Sequence, residues 1–198
     1  MKNSDSNKRP RTYRRSIKTR QHLIQSAIQI LIEQGNDALT LDAVTRVAEI
    51  SKGGLLYHFP NKEALVVGII QHLIDTFNQE IEVELEKESG NEPGKWLRAY
   101  IRATFHSAQV PFALLAGIFA AYSTSLSSES MQQIEAQVES WRQQIYNCGL
   151  DLVQANLVYL ASEGLWSTEM LGTNFDDPSI REKTLERLIE MTYESKGE

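Results

Sequence analysis

Lys52, Tyr57, His58 and Lys62 lie close together in a short stretch that also carries two adjacent glycines, Gly53 and Gly54. An ammonium group, a phenol and an imidazole are good partners for phosphate oxygens and base edges, and they suit recognition better than bond-making. The glycines fit that use. Each costs a helix about 1 kcal/mol relative to alanine, which is reasonable where a backbone must come close to something large. The same composition also suits an ordinary helical turn with a solvated polar face. Residue types alone leave both readings open.

Catalytic chemistry has little to stand on. His22, His58, His72 and His106 are isolated from one another, and none has metal-ligand spacing to Cys, Asp or Glu. There is no glycine loop for a phosphate and no nucleophile elbow. Glu163 beside Tyr159 could serve as an acid or base, but one carboxylate on a helix is more often a pocket or surface charge. The expectation is a non-enzyme with no cofactor and no metal.

The elements that must position Lys52 to Lys62 are short helices. Thr40 can cap a helix whose first turn holds Asp42 and whose apolar face is Leu41, Val44, Val47 and Ala48. Ser51 can cap a second helix, Lys52 to His58, which Phe59-Pro60 ends. Asn61 can cap a third, starting at Lys62. Upstream, residues 16–33 carry Leu23, Ile24, Ala27, Ile28, Leu31 and Ile32 at helical spacing, with Gly35 suited to the position after the helix. These pieces predict a three-helix head.

Residues 40–62 resemble the helix-turn-helix of the tetracycline-repressor (TetR) family of bacterial transcription regulators. The family pattern at the second helix is met by Ser51, Lys52, Gly53, Gly54, Leu55, His58, Phe59 and Lys62, and the resemblance covers residues 16–66. Leu56 departs from it, standing where the family has Tyr, with Tyr57 one place later and therefore about 100° further round the helix. Glu49 stands where the turn has Gly, and Thr45 where the first helix has Ala. The resemblance implies that Ser51, Lys52, Gly53 and Gly54 face base edges, while Tyr57, His58 and Lys62 lie near phosphates. Thr40, at a helix N-terminus, is also placed for a phosphate.

Charge distribution agrees. Net charge is −6, yet residues 1–62 hold 11 Lys and Arg against 5 Asp and Glu, a net of +6, and residues 63–198 carry −12. A basic head on an acidic body should approach DNA by one end. Residues 1–15, with Lys8, Arg9, Arg11, Arg14 and Arg15, read as a disordered basic arm, either solubilising or reaching toward phosphates and the minor groove. The single cysteine, Cys148, excludes an internal disulfide and fits a reducing cytoplasm. No apolar run is long enough for a membrane span.

The remainder reads as helices with no period-2 alternation. A connector helix is predicted over 62–87, and Ser89 to Gly94 is the clearest break. Helices follow over 94–109, over 111–124 (apolar nearly all round), from Ser127 or Ser128 to Gly149, over 150–172 and over 178–194. The expected fold is all-α with about nine helices: arm 1–15, helix-turn-helix domain 16–61, and a regulatory and dimerisation domain 62–198. The resemblance implies a homodimer through 150–172 and 178–194, where Ala161 and Gly164 permit close approach, bound to a palindromic double-stranded operator. It also implies a small-molecule pocket in the body. The candidate lining is Trp96, Tyr100, Phe105, Phe119, Tyr122, Tyr159 and Trp166, with Arg102, His106, Asn156 and Glu163 as polar groups, favouring an apolar or amphipathic effector able to carry a cationic group. Control by a protein partner, or by nothing, is the alternative.

Overall fold

The computed structural model describes residues 11–106, 118, 122, 126–170 and 177–193. Among them are eight α-helices and no strand: α1 (Arg11–Gln34), α2 (Leu41–Ala48), α3 (Lys52–His58), α4 (Lys62–Glu86), α5 (Lys95–His106), α6 (Ser128–Tyr146), α7 (Leu152–Met170) and α8 (Pro178–Met191). The helix expected over 111–124 lies outside the described residues, as do the arm residues 1–10 and most of the 173–177 loop. The chain divides into two compact units, residues 1–72 and 73–198, so that α4 begins in the first and ends in the second.

In the first unit, local chemistry sets the helix ends. Thr40 Oγ1 accepts from Ala43 N at 3.1 Å, Ser51 Oγ from Gly54 N at 3.2 Å, and Asn61 Oδ1 from Ala64 N at 2.7 Å. These caps start α2, α3 and α4. Gly35 closes α1 at φ 80°, and Glu49 turns the chain between α2 and α3 in the left-handed region, at φ 53° and ψ 34°. The core is Leu23, Ile24, Ala27, Ile30 and Leu31 of α1 against Val44, Ala48, Leu55, Phe59 and Leu65. Ile30 takes the core place expected of Ile32, which is 62 % exposed. The buried stripe runs 23, 27, 30, and Ile32 sits beyond its edge. α1 also starts earlier than residue 16, at Arg11, so residues 11–15 are helical rather than part of the arm.

Gly68 is the least obvious requirement of this core. A Cβ there would lie 2.6 Å from Phe59 Cε1, so the bare backbone of α4 makes room for the ring that ends α3. The Arg20 guanidinium covers the same ring at 5.1 Å.

In the second unit, Leu97 and Ile101 of α5, Ile145 of α6, Ala155 and Val158 of α7 and Leu185 and Leu188 of α8 form one buried cluster, with Cys148 half-buried against it. Ser127 caps α6 through Ser130 N, and Asp177 caps α8 ahead of Pro178 in the first turn. At the edge of the cluster sits a fully buried arginine. Arg98 Nε donates to Glu88 Oε2 at 2.9 Å, and Nη1 donates to the carbonyls of Pro93 at 2.9 Å and Thr192 at 3.2 Å. Nη2 lies 2.8 Å from Glu88 Oε2, as an ion-pair contact outside hydrogen-bond geometry. The Tyr193 ring stacks on the guanidinium at 4.1 Å. Gly94, at φ 77°, is needed here twice over, because a Cβ would meet Thr192 O at 2.4 Å.

Candidate functional site

The caps that start α2 and α3 leave Thr40, Ser51, Lys52, Gly53, Tyr57 and Lys62 exposed on the first unit. Thr40 and Ser51 use an oxygen lone pair internally, and each hydroxyl keeps a proton to donate. Lys52 Nζ is 2.9 Å from Asp42 Oδ1, an ion pair between the starts of α3 and α2. Tyr57 is 79 % exposed, its ring edge-on to His58 at 5.0 Å. His58 is half-buried. Burial, and then the Arg20 charge, lower its pKa, which favours the neutral ring.

The two glycines are there for different reasons. A Cβ on Gly54 would come 2.9 Å from Ile50 Cγ2, so this glycine serves the packing of the turn. A Cβ on Gly53 would meet nothing within 4 Å, and its φ is outside the left-handed region. Nothing in the unit itself requires a glycine at 53. The exposed surface beside it therefore suits a partner pressed against the backbone. Leu56, 39 % exposed, and Val47, 40 % exposed, add apolar surface on the same two helices. Asp42 was legible only as a helix-dipole partner, and its contact with Lys52 emerges from the fold.

In the second unit the candidate pocket residues separate into groups. Tyr100 is buried at the centre of a ring cluster: Trp96 stacks on it at 5.4 Å, Phe77 meets it edge-on at 5.5 Å, and Tyr159 tilts against it at 5.8 Å. Tyr100 Oη donates to Glu163 Oε1 at 2.8 Å. Burial raises the Glu163 pKa, and the Tyr100 hydrogen bond offsets part of that rise. Tyr100 itself is pushed well above the usual tyrosine value, first by burial and then by the neighbouring carboxylate.

Other candidates stand elsewhere. Arg102 is not with the aromatic set, because it turns to Glu88 as its second cationic partner beside Arg98. Burial raises the Glu88 carboxyl, but the two arginines outweigh it and hold the group below its usual value. Phe105 is half-buried under the Arg181 guanidinium at 5.4 Å. Asn156 is exposed, because it falls on the outer side of α7 from the buried Ala155 and Val158. Tyr122 is half-buried. Phe119 and the side chains of His106 and Trp166 lie outside the described residues. An open cleft of about 430 Å³ is lined by Glu84, Lys87, Glu88, Ser89, Glu92, Arg102 and Tyr193. Its lining is charged, unlike the apolar one expected, and of the candidate pocket residues it takes in Arg102. Arg98, the centre of this region, was not picked out from the sequence.

No helix is long and apolar enough to cross a membrane among the described residues. Among them, too, no group of three or more His, Cys, Asp or Glu could hold a metal ion.

Comparison with known proteins places both units. Residues 23–69 match the family described as bacterial regulatory proteins, tetR family, and residues 94–193 match the tetracyclin repressor-like C-terminal domain. The HTH-type transcriptional repressor DhaR of Mycobacterium sp. (strain GP1) is 26% identical over 129 residues, which is 65% of this chain and 64% of that one. The HTH-type transcriptional regulator BetI of Serratia proteamaculans (strain 568) is 23% identical over 116 residues, 59% of each chain. These matches thus span about three fifths of the curated relatives' length. A transcriptional regulator from Rhodococcus sp. Rha1 shares the fold with a TM-score of 0.68 at 18% identity, over 87% of this chain and 95% of that one. With a helix-turn-helix in its first unit and the C-terminal domain match over half its length, the chain belongs to the TetR family of bacterial regulatory proteins.

Proposed function

We propose that the chain is a sequence-specific DNA-binding transcription regulator of the bacterial cytoplasm. In this reading it is a repressor that leaves a palindromic operator when a small apolar or amphipathic effector binds its body. The observation that carries the DNA reading is Gly53, a glycine with no intramolecular reason, set between exposed Lys52 and the capped turn of a basic unit. Gly53 is the point where the backbone meets the groove. Lys52 faces base edges, and Thr40, Tyr57, His58 and Lys62 take phosphates.

One head reads only a few base pairs, so the reading requires a two-fold dimer. Val153, Leu157 and Leu160 on α7 are each more than half exposed, and Ile180 on α8 is 40 % exposed. That apolar surface supports self-association through these two helices. For the effector, the rings around Tyr100 with the Glu163 carboxyl are a set of the expected type, apolar with one acidic group, while the cleft among the described residues lies at Glu88 and Arg102. The effector lowers DNA affinity only by its differential affinity for DNA-competent and incompetent states.

Selection of bound duplexes from a random library, followed by affinity measurements across salt concentrations, tests the head. A palindromic consensus is expected, and Lys62→Ala should weaken binding to all sequences alike and reduce the salt slope by about 1. Failure to retain any duplex overturns the reading. A small-molecule thermal-shift screen, with loss of DNA binding as second readout, tests the effector. If no compound both stabilises the protein and releases DNA, control by a protein partner replaces the small-molecule effector.

A further inference from the structure

We infer that Asp42 and Lys52 act together as a reader of one G·C base pair in each half-site, with Asp42 setting the specificity of the contact. The inference rests on the DNA-binding reading of the first unit. Its starting point is an acidic side chain where a phosphate-binding surface would not want one. The first unit's sequence is strongly basic, yet Asp42 Oδ1 sits 2.9 Å from Lys52 Nζ, with the two side chains 71 % and 62 % exposed.

Folding gives a weak account of this pair. Ion pairs as exposed as this contribute little to stability. The start of α2 is already capped by Thr40, whose Oγ1 takes the Ala43 amide. Against DNA the pair has a clear consequence. Alone, Lys52 would be a mobile point charge, satisfied by any phosphate. Held by Asp42 it is locally neutral, and so adds little to sequence-independent affinity. The carboxylate repels phosphates and the acceptor-only stretches of the groove floor.

What remains attractive is a donor beside an acceptor. In the major groove, guanine presents the acceptors N7 and O6, and its paired cytosine presents the N4 amino donor next to them. Lys52 donates to guanine and Asp42 accepts from cytosine. Gly53, adjoining Lys52 and lacking a Cβ, lets the two side chains reach that depth. A pair in which Asp42 faces a thymine O4 places acceptor against acceptor and is rejected.

The test is binding-site selection from a random duplex library with the wild-type chain and the variants D42A, D42N and K52A, with affinities measured on the selected site and on random DNA. The wild-type chain should select a G·C pair at a symmetric position in each half-site. D42A should lose about tenfold or more of its discrimination at that position, bind random DNA more tightly, and show a salt slope steeper by about 1 as Lys52 is freed for a phosphate. D42N should shift the preference at that position toward A·T, since asparagine pairs with adenine. K52A should lose the guanine preference. The inference is overturned if D42A selects the same site with the same discrimination as wild type, or if the selected site has no base pair sensitive to both positions. Wild-type protein that retains no duplex overturns the DNA reading itself. D42A and D42N each lose the favourable charge in the first turn of α2, so a small drop in melting temperature with a cooperative transition is expected, and keeps loss of fold apart from loss of specificity.

Discussion

Tyr100 Oη and Glu163 Oε1 are joined by a 2.8 Å hydrogen bond between α5 and α7, and the carboxyl group's protonation decides how favourable that contact is. The Glu163 pKa is raised by burial more than the phenol lowers it. A carboxyl raised in the folded state favours its protonated form there. The ionised group therefore lowers stability above its folded pKa, and this loss disappears as pH falls below the unfolded value. Glu163→Gln keeps an acceptor for Tyr100 and removes the charge. The variant should melt at a higher temperature than wild type at neutral pH, and the gap should close as pH falls into the ordinary carboxylate range. Tyr100→Phe should cost about 1–3 kcal/mol by leaving the carboxylate without its donor. Thermal melts across pH check both.

Gly53→Ala and Gly54→Ala should part company. At 53 the added methyl meets nothing within 4 Å, so the helix gains about 0.5–1 kcal/mol. The same methyl stands between backbone and groove, so DNA affinity should fall. At 54 the methyl collides with Ile50 Cγ2, and stability should fall as well. Urea titrations with DNA-affinity measurements on both variants separate the two roles. A Gly53→Ala protein that binds DNA as tightly as wild type removes the argument for close approach.

Arg98→Ala should cost about 2–3 kcal/mol, because it leaves the carbonyls of Pro93 and Thr192 without their donor and takes from Glu88 one of its two arginines, Arg102 remaining. Glu88 has a lowered pKa, so its contribution is present above the unfolded carboxylate value and is lost as pH falls through the folded one. Wild type should thus lose stability on acidification more steeply than Arg98→Ala. Denaturant melts at neutral and acid pH read the difference.

Glu49→Gly should raise stability by about 0.5–1 kcal/mol. Glu49 holds φ 53° and ψ 34°, and is the non-glycine with positive φ among the described residues. Glycine reaches that region without Cβ strain, at some entropic cost in the unfolded chain. A melting temperature below wild type would mean that the Glu49 side chain contributes more than its backbone loses.

Leu157→Glu should yield monomers. Leu157 is 56 % exposed on α7 between Val153 and Leu160, so the charge does little to the single-chain core and much to an apolar interface. Mass measurement at micromolar concentration, with the melt compared to wild type, separates loss of pairing from loss of fold.

What the sequence made legible was local. Thr40, Ser51 and Asn61 were readable as caps because a cap needs only an oxygen three residues before an amide. Glu49 was readable as the turn through its place in the helix-turn-helix pattern. The start of α1 was not, since Arg11, Arg14 and Arg15 at a helix N-terminus run against the dipole preference. Arg98 and Arg102 were misplaced or passed over for a different reason. A buried arginine depends on its acceptors, and one of these, Thr192, stands 94 positions away. Pattern along α5 shows an arginine among apolar residues and cannot show what it touches. Gly68 has the same character, because only its neighbour Phe59 in space explains it.

The Gly94–Thr192 contact also fixes an order in time. Residues 1–72 form a compact unit with its own buried core. The Arg98 site lacks an acceptor until Thr192 has been synthesised and has left the ribosome. Since domains generally fold as units during synthesis, the head is expected to form while the body is still open, with the α5 face of Leu97 and Ile101 uncovered by α8. Pulse proteolysis of released chains, one ending before residue 192 and one of full length, should show the head protected in both and the body protected only in the longer.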